Sequence, residues 1–398
     1  MINAKKIGAQ FLTVASTNLV NALSKAAFLS VASFQLAQSD FTEFIFWVVS
    51  IDVLVVLLDL GASAAFIVVS RDVAKSKIPV FGGSALIFKM LFLLTLSLLI
   101  LPFVGIIIPL LMSAAILFEF QNAQLQSSYK FKQVLIRQAI SGAMRVGNIL
   151  VLLNYDLSTQ TLLALYFGPQ LLISFISCIL AIYTFSSTGT KIGEVLNYNR
   201  LIWQVAKNEM LLQAIVLVLR RGDIYYATVI LGAQSAGKIG LLFTISQFLP
   251  MIGNAVTRVV LPYVLDSKNI YQKVQRNSGL VILSSVLLSV FMSIFLTSAY
   301  LMFFSSSVRT DALVALLVFW AVSLNTVFQP LATILYKEKR IFDLSKIHLK
   351  QLALQAIASI TMMSLLGLIG VALSFALVRI FGLITLNQQI SNVREENE

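Results

Sequence analysis

The chain has 398 residues, 58% of them hydrophobic and 12% charged, with a formal net charge of +12 and a mean hydropathy of +0.90. A soluble globular domain averages about 25% charged residues, so about half of the usual polar surface is missing. No water-soluble fold could hide this much apolar side chain, and the surrounding solvent is therefore lipid. In lipid every backbone N–H and C=O needs an internal partner, which leaves helix bundles or closed barrels. The apolar runs are about 20 residues long without period-2 alternation, which selects helices. One cysteine, Cys178, and one histidine, His348, exclude a disulfide framework and make a metal centre or a Ser/His/Asp triad untenable.

Taken in chain order, the hydropathy pattern predicts twelve transmembrane helices, at about 9–34, 43–69, 79–101, 104–126, 134–153, 160–185, 204–231, 235–265, 279–303, 312–335, 349–366 and 368–388. The first run, from near Gly8 to Phe34, is too long for a cleavable signal and is read as helix one. The longest polar gap, Ser186 to Trp203, is too short to fold alone. The predicted fold is all-α, a polytopic helix bundle.

Loop charge assigns the sides. With the amino terminus in the cytoplasm, the cytoplasmic segments hold Lys5 and Lys6; Arg71, Lys75 and Lys77; Lys130 and Lys132; Lys191 and Arg200; Lys268, Lys273 and Arg276; Lys337, Lys339, Arg340 and Lys346; and Arg394. The opposite side holds only Arg309 and, at a helix edge, Lys238, together with Asp40, Glu43, Asp156 and Asp311. That asymmetry predicts both termini in the cytoplasm.

A faint duplication accompanies it. Ala37-Gln38-Ser39 recurs as Ala233-Gln234-Ser235, and the same offset sets Lys25 on Arg221. Tyr129-Lys130-Phe131-Lys132 has a counterpart in Tyr336-Lys337-Glu338-Lys339. The expected organisation is two parallel six-helix halves, residues 1–190 and 191–398, with the site between them.

The remaining cations fall within predicted helices. Arg137, Lys207, Arg258 and Lys350 lie within about two turns of a cytoplasmic end, where long side chains snorkel to the interface. Lys25, Lys89, Arg145, Arg220, Arg221 and Arg379 are deeper. A central Lys or Arg facing lipid costs roughly 2.5–3.5 kcal/mol, so six would cost on the order of 15–20 kcal/mol. They are expected to face a wet interior. Spacing agrees at about 100° per residue: Arg137, Ser141, Arg145 and Asn148 share one helix face, as do Glu209, Gln213, Arg220 and Asp223. Asp52, Asp59, Ser63 and Ser70 form another stripe, and Gln247, Asn254 and Arg258 a further one about Pro250. The deep anions Asp52, Asp59, Glu119 and Asp223 are too few to balance the deep cations, although Arg220 and Asp223, one turn apart, form a natural ion pair. A net cationic cavity implies an anionic guest or one with an anionic head.

Several short motifs carry a resemblance. Leu57-Leu58-Asp59-Leu60-Gly61 followed by Arg71, then Ala236-Gly237-Lys238-Ile239-Gly240-Leu241 and Leu261-Pro262, resemble the multidrug/oligosaccharidyl-lipid/polysaccharide (MOP) flippase superfamily. The nearest branch resembles the Wzx-type O-antigen and capsule flippases. After helix one the family commonly shows a glycine pattern, where this chain reads Ser39-Asp40-Phe41-Thr42-Glu43.

The resemblance implies a twelve-helix transporter of the bacterial inner membrane that moves undecaprenyl-pyrophosphate-linked oligosaccharide to the periplasmic leaflet. It implies coupling to protons or sodium, with no other cofactor. Its partners would be the lipid-linked oligosaccharide, membrane lipid and other polysaccharide assembly proteins, and no nucleic acid. The expected substrate-binding residues are Lys25, Lys89, Arg145, Arg220, Arg221, Arg258 and Arg379. The expected coupling or gating residues are Asp52, Asp59, Glu119, Glu209 and Asp223. A pyrophosphate calls for Lys and Arg, in keeping with that set.

Three rivals are weighed. A multidrug antiporter would want the opposite lumen charge for organic cations. A major-facilitator carrier of small anions usually has a basic, glycine-bearing loop between helices two and three, where this chain reads Arg71-Asp72-Val73-Ala74-Lys75-Ser76-Lys77. A polysaccharide polymerase needs a sizeable outer loop to assemble acid and base groups, and every predicted outer loop is short.

Overall fold

Backbone groups in lipid are satisfied within each helix, and the chain obeys that constraint. The computed structural model describes residues 4–70, 78–128, 130–186, 192–246, 249, 278–337 and 340–397. Among these residues the regular elements are all helices: α1 Ala4–Gln35, α2 Gln38–Asp59, α3 Ala62–Val69, α4 Ile78–Val104, α5 Ile107–Ser127, α6 Phe131–Asn154, α7 Thr159–Ser186, α8 Ile192–Leu231, α9 Ala233–Ser246, α10 Ser278–Phe303, α11 Ala312–Ser323, α12 Asn325–Lys337, α13 Ile341–Leu366 and α14 Leu368–Asn397. Seven of them, within α2, α4, α6, α7, α10, α13 and α14, are long and apolar enough to cross a membrane, and Ala312–Phe328 is a shorter apolar stretch. The protein is an all-α, multi-pass membrane bundle.

The predicted helices overlap these elements; α13 starts eight residues before the predicted 349 and α14 runs nine past the predicted 388, and three further differences have physical causes. The predicted helix 43–69 is two helices, because Leu60 and Gly61 both take positive φ (53° and 70°) and interrupt the ladder. The predicted helix 312–335 breaks at Leu324, whose carbonyl accepts the N–H of Val327 in a tight turn. The predicted start at 204 moves back to Ile192, making α8 40 residues long. At 1.5 Å per residue α8 spans about 60 Å, roughly twice the hydrocarbon thickness. Hydropathy detects only its apolar stretch. The second part of the predicted helix 235–265 lies outside the described residues.

The chain forms two compact units. One comprises Leu23–Phe28 with Trp47–Leu217, the other Met1–Ala22, Leu29–Phe46 and Val218–Glu398. In the first, α5 packs against α3, α4, α6 and α7. Its centre is aromatic: Phe66 stacks on Phe81 at 4.8 Å and meets Phe120 edge-on at 5.6 Å. In the second, α14 packs against α11, α12 and α13, over a core that includes Val327, Leu331, Leu344, Ile347 and Leu386. Outward faces are apolar instead of polar. Leu91, Leu94, Leu98 and Leu99 of α4 and Leu287, Phe291, Ile294 and Phe295 of α10 are all exposed, as lipid contact requires.

Two loops are built alike. Lys130 before α6 and Arg340 before α13 have nearly the same backbone angles (φ −89°, ψ 46° and φ −91°, ψ 42°). Each donates its N–H five residues back, to Leu125 at 2.8 Å and Leu335 at 2.9 Å. Likewise α1 ends at Gln35 and α8 at Leu231, each just before an Ala-Gln-Ser run that opens the next helix.

Within the α13–α14 hairpin the backbones approach closely. A Cβ at Gly370 would lie 1.9 Å from the Met362 carbonyl oxygen, whereas one at Gly168 in α7 meets nothing within 4 Å. Gly370→Ala should therefore destabilise the fold by about 1–3 kcal/mol through overpacking. Gly168→Ala should be neutral or stabilising by up to ~1 kcal/mol through helix propensity. Thermal unfolding of the detergent-solubilised protein, read by fluorescence-detected size exclusion, checks the contrast.

Candidate substrate site: two cationic clusters

The first cluster gathers around Tyr166 of α7. Arg145, at the centre of α6, has 0% exposure. Its Nε donates to the Tyr166 carbonyl at 3.0 Å, one terminal nitrogen donates to Ser24 Oγ at 2.8 Å, and its guanidinium lies 5.1 Å over the Tyr166 ring. Lys25, half-buried on α1, places its ammonium 5.8 Å over the same ring. Phe28 closes the ring's other approach edge-on at 5.6 Å. Asp52 of α2 is half-buried and within electrostatic reach of Arg145. The expected α6 stripe continues through Ser141, fully buried, and Asn148, which donates to the Leu165 carbonyl at 2.7 Å.

The second cluster joins α8, α13 and α14 in the other unit. Arg379 donates to the Leu219 carbonyl at 2.7 Å and stacks 4.6 Å over Phe375. Asp223, fully buried, accepts from Gln355 Nε2 at 2.8 Å and from Ser359 Oγ at 2.5 Å, with Arg379 close by. Arg221 is buried, Arg220 exposed, and Arg220 sits within electrostatic reach of Arg379 and His348. His348 pairs through Nδ1 with Gln351 Oε1 at 2.9 Å. The ion pair expected between Arg220 and Asp223 does not form. Asp223 turns inward to the α13 amide and hydroxyl, and Arg220 points out of the packed face. This cluster holds three cations, Arg220, Arg221 and Arg379, against one carboxylate.

Other predicted residues fall elsewhere. Lys89, 6% exposed, makes a buried ion pair with Asp59 and lies 4.7 Å over the Phe120 ring. One predicted substrate-binding cation and one predicted gating carboxylate are thus each other's partner. Asp59 also caps α3, accepting from Ser63 N at 3.0 Å and Ser63 Oγ at 2.8 Å, where the helix dipole favours a carboxylate. Glu119 of α5 is exposed, within electrostatic reach of Arg137, which donates to Gln121 Oε1 at 2.6 Å. Arg258 lies outside the described residues, and Glu209 is placed on α8 by its backbone alone.

The sequence reading missed Tyr166, Phe375, Gln355 and Ser359. The rings have no polar signature in an apolar run. Gln351, Gln355 and Ser359 recur every fourth residue along α13, a signal that could have found them. Among the described residues no three of His, Cys, Asp and Glu come together as a metal site.

Breaking a buried pair by removing one partner leaves an uncompensated charge and costs about 3–5 kcal/mol. Lys89→Met and Asp59→Asn should each lower unfolding stability by that order. The double variant should recover part of the loss, a non-additivity that a double-mutant cycle on thermal unfolding measures.

No family model matches the chain, and a search of curated proteins found no match. Solved structures do match in fold. A structure of the lipid II flippase MurJ in an inward closed conformation superposes with a TM-score of 0.68 at 15% identity, covering 96% of this chain and 87% of that one. A Vibrio cholerae MATE transporter superposes at 0.66 with 13% identity, covering 99% and 98%. A MOP superfamily transporter from Pyrococcus furiosus, described as having a binding pocket of reverse polarity, superposes at 0.63 with 14% identity, covering 98% and 96%. The resemblance first carried by a few short motifs holds at the level of architecture: this chain is a multi-pass membrane protein with the fold of the MOP superfamily transporters.

Proposed function

We propose that the protein is a flippase that carries an undecaprenyl-pyrophosphate-linked oligosaccharide, an O-antigen or capsule repeat unit, from the cytoplasmic to the periplasmic leaflet of a bacterial inner membrane. It works by alternating access through a cationic lumen, with halves 1–190 and 191–398 as the moving parts. The observation that carries this reading is the sign of the buried charge. Among the described residues, Lys25 and Arg145 converge on Tyr166 near Asp52, and the buried Arg221 and Arg379, with the exposed Arg220 nearby, outnumber Asp223. Guanidinium groups favour phosphate oxygens through paired, charge-assisted hydrogen bonds. The similar loops at Lys130 and Arg340 support a duplicated design. The likeness to a protein named as a lipid II flippase supports a lipid-linked passenger. The reading assigns no chemical step to the chain, so the protein is not an enzyme on this proposal. Protons or sodium would drive it through Asp52, Asp223 or Glu119.

A multidrug antiporter of the same fold is the second reading, favoured by the MATE neighbours. An organic cation would meet a repulsive interior in both clusters, which ranks it lower.

The test is complementation of a strain lacking its own repeat-unit flippase. Wild-type protein should restore surface polymer and clear cytoplasm-facing lipid-linked units. Arg145→Gln with Arg220→Gln should insert normally and lose at least ~100-fold of the transport, on the order of 1.5–3 kcal/mol for each charged hydrogen-bonding group. Retained transport in that double variant would sink the lumen assignment. Changed resistance to cationic drugs, with flipping unaffected, would favour the antiporter.

A further inference from the structure

Beside the Asp59–Lys89 pair, wholly within the first unit, lies a cavity of about 470 Å³. That volume is typical of small-molecule sites, which are mostly apolar with a few polar groups. Its lining includes Leu58, Ala62 and Phe92 from α2, α3 and α4, and Asn199, Arg200, Ile202 and Trp203 from α8. Three features identify its occupant. First, its lining includes the exposed Phe88 and Leu196, and the exposed apolar face of α4 runs on from Phe88 through Leu91 and Leu94. The cavity therefore opens on the lipid-facing surface. Second, the lining also holds Asp59 and Lys89, which pair with each other, whereas Arg200 makes no ion pair or hydrogen bond with any described residue. Third, Trp203, which lines the same cavity three residues along α8 from Arg200, is 54% exposed, as suits an indole that anchors at the headgroup level. On the loop-charge asymmetry Arg200 belongs to a cytoplasmic segment, beside the leaflet that is rich in anionic lipid.

We infer that this cavity is a lipid site: an acyl chain of an anionic phospholipid from the surrounding membrane lies between α4 and the first turns of α8, with its phosphate on Arg200. An occupied cavity excludes water from the Asp59–Lys89 pair and so strengthens it. It also ties the long α8 to the helix break at Leu60–Gly61. The site is separate from both cationic clusters and makes no use of the flippase reading.

Trp203 reports on it directly. In a background carrying Trp47→Phe and Trp320→Phe it is the sole indole. The delipidated, detergent-solubilised protein is titrated with phosphatidylglycerol bearing brominated acyl chains, and separately with brominated phosphatidylethanolamine. Quenching by phosphatidylglycerol should saturate at about one lipid per chain, whereas phosphatidylethanolamine should bind about ten-fold more weakly. Arg200→Gln should weaken phosphatidylglycerol to that same level, and Ala62→Phe, which fills the cavity, should abolish saturable quenching. Both variants should elute as the wild type on size exclusion. Quenching that rises without saturation, or that ignores headgroup and Arg200 alike, overturns the site. Saturable quenching by a brominated polyprenyl phosphate with none by phosphatidylglycerol overturns the occupant. None of these readouts involves transport, so failure here and failure of the flippase reading are told apart.

Discussion

A cation in hydrocarbon must be met by protein, and that constraint organises both units. Each deep charge is met in its own way. Lys89 takes a carboxylate, Asp59, together with the face of Phe120. Arg145 takes the Tyr166 carbonyl, a serine hydroxyl and the Tyr166 ring. Arg379 takes the Leu219 carbonyl and the Phe375 ring. A carbonyl inside a helix already accepts one backbone N–H, and its second lone pair remains available to a neighbour. An arginine that seeks such a lone pair fixes which helix lies beside its own: α7 beside α6, and α8 beside α14. Aromatic faces add attraction without adding negative charge. The two arginines are thus held in large part by neutral oxygens and ring faces.

Hydropathy and charge made much of this legible. Helix spans overlap the observed ones because about 20 apolar residues is what a bilayer demands, whatever the fold. The stripe Arg137–Ser141–Arg145–Asn148 was readable because α6 is continuous, so the 100° rule applies along its length. The stripe Asp52–Asp59–Ser63–Ser70 was not a stripe in the same sense. The break at Leu60 and Gly61 resets the helix phase, and Asp59 then serves α3 as a cap. A leucine at positive φ carries no advance signal, since only the tertiary setting makes a β-carbon tolerable there.

Pairing was less legible than burial. Sequence proximity pointed Asp223 at Arg220, whereas the carboxylate is satisfied by neutral donors 132 and 136 residues away, Gln355 and Ser359. Neutral amides and hydroxyls leave no charge signature, so a reading that tracks charge overlooks them. Lys89 reads in the sequence as a substrate-binding cation, whereas the structure pairs it with Asp59. Its partner sits 30 residues earlier, beyond a break that hydropathy does not register.

Fold and charge then answer different questions. The architecture shared with a lipid II flippase and with a MATE transporter at 13–15% identity says how the backbone is arranged, and one fold hosts many passengers. What selects among passengers is the balance of fixed charge that remains once internal pairs are struck out. Removing Lys89 with Asp59 leaves Lys25 and Arg145 facing Asp52 in one unit, and Arg220, Arg221 and Arg379 facing Asp223 in the other. Among the described residues both remainders are positive, and two of the cations, Arg145 and Arg379, have positions already set by carbonyls and rings. A guest that carries its own negative charge meets donors that need little rearrangement, and this preorganisation lowers the cost of binding. A cationic guest meets the same groups as a barrier. On the proposed function, that guest is the anionic end of a lipid-linked substrate.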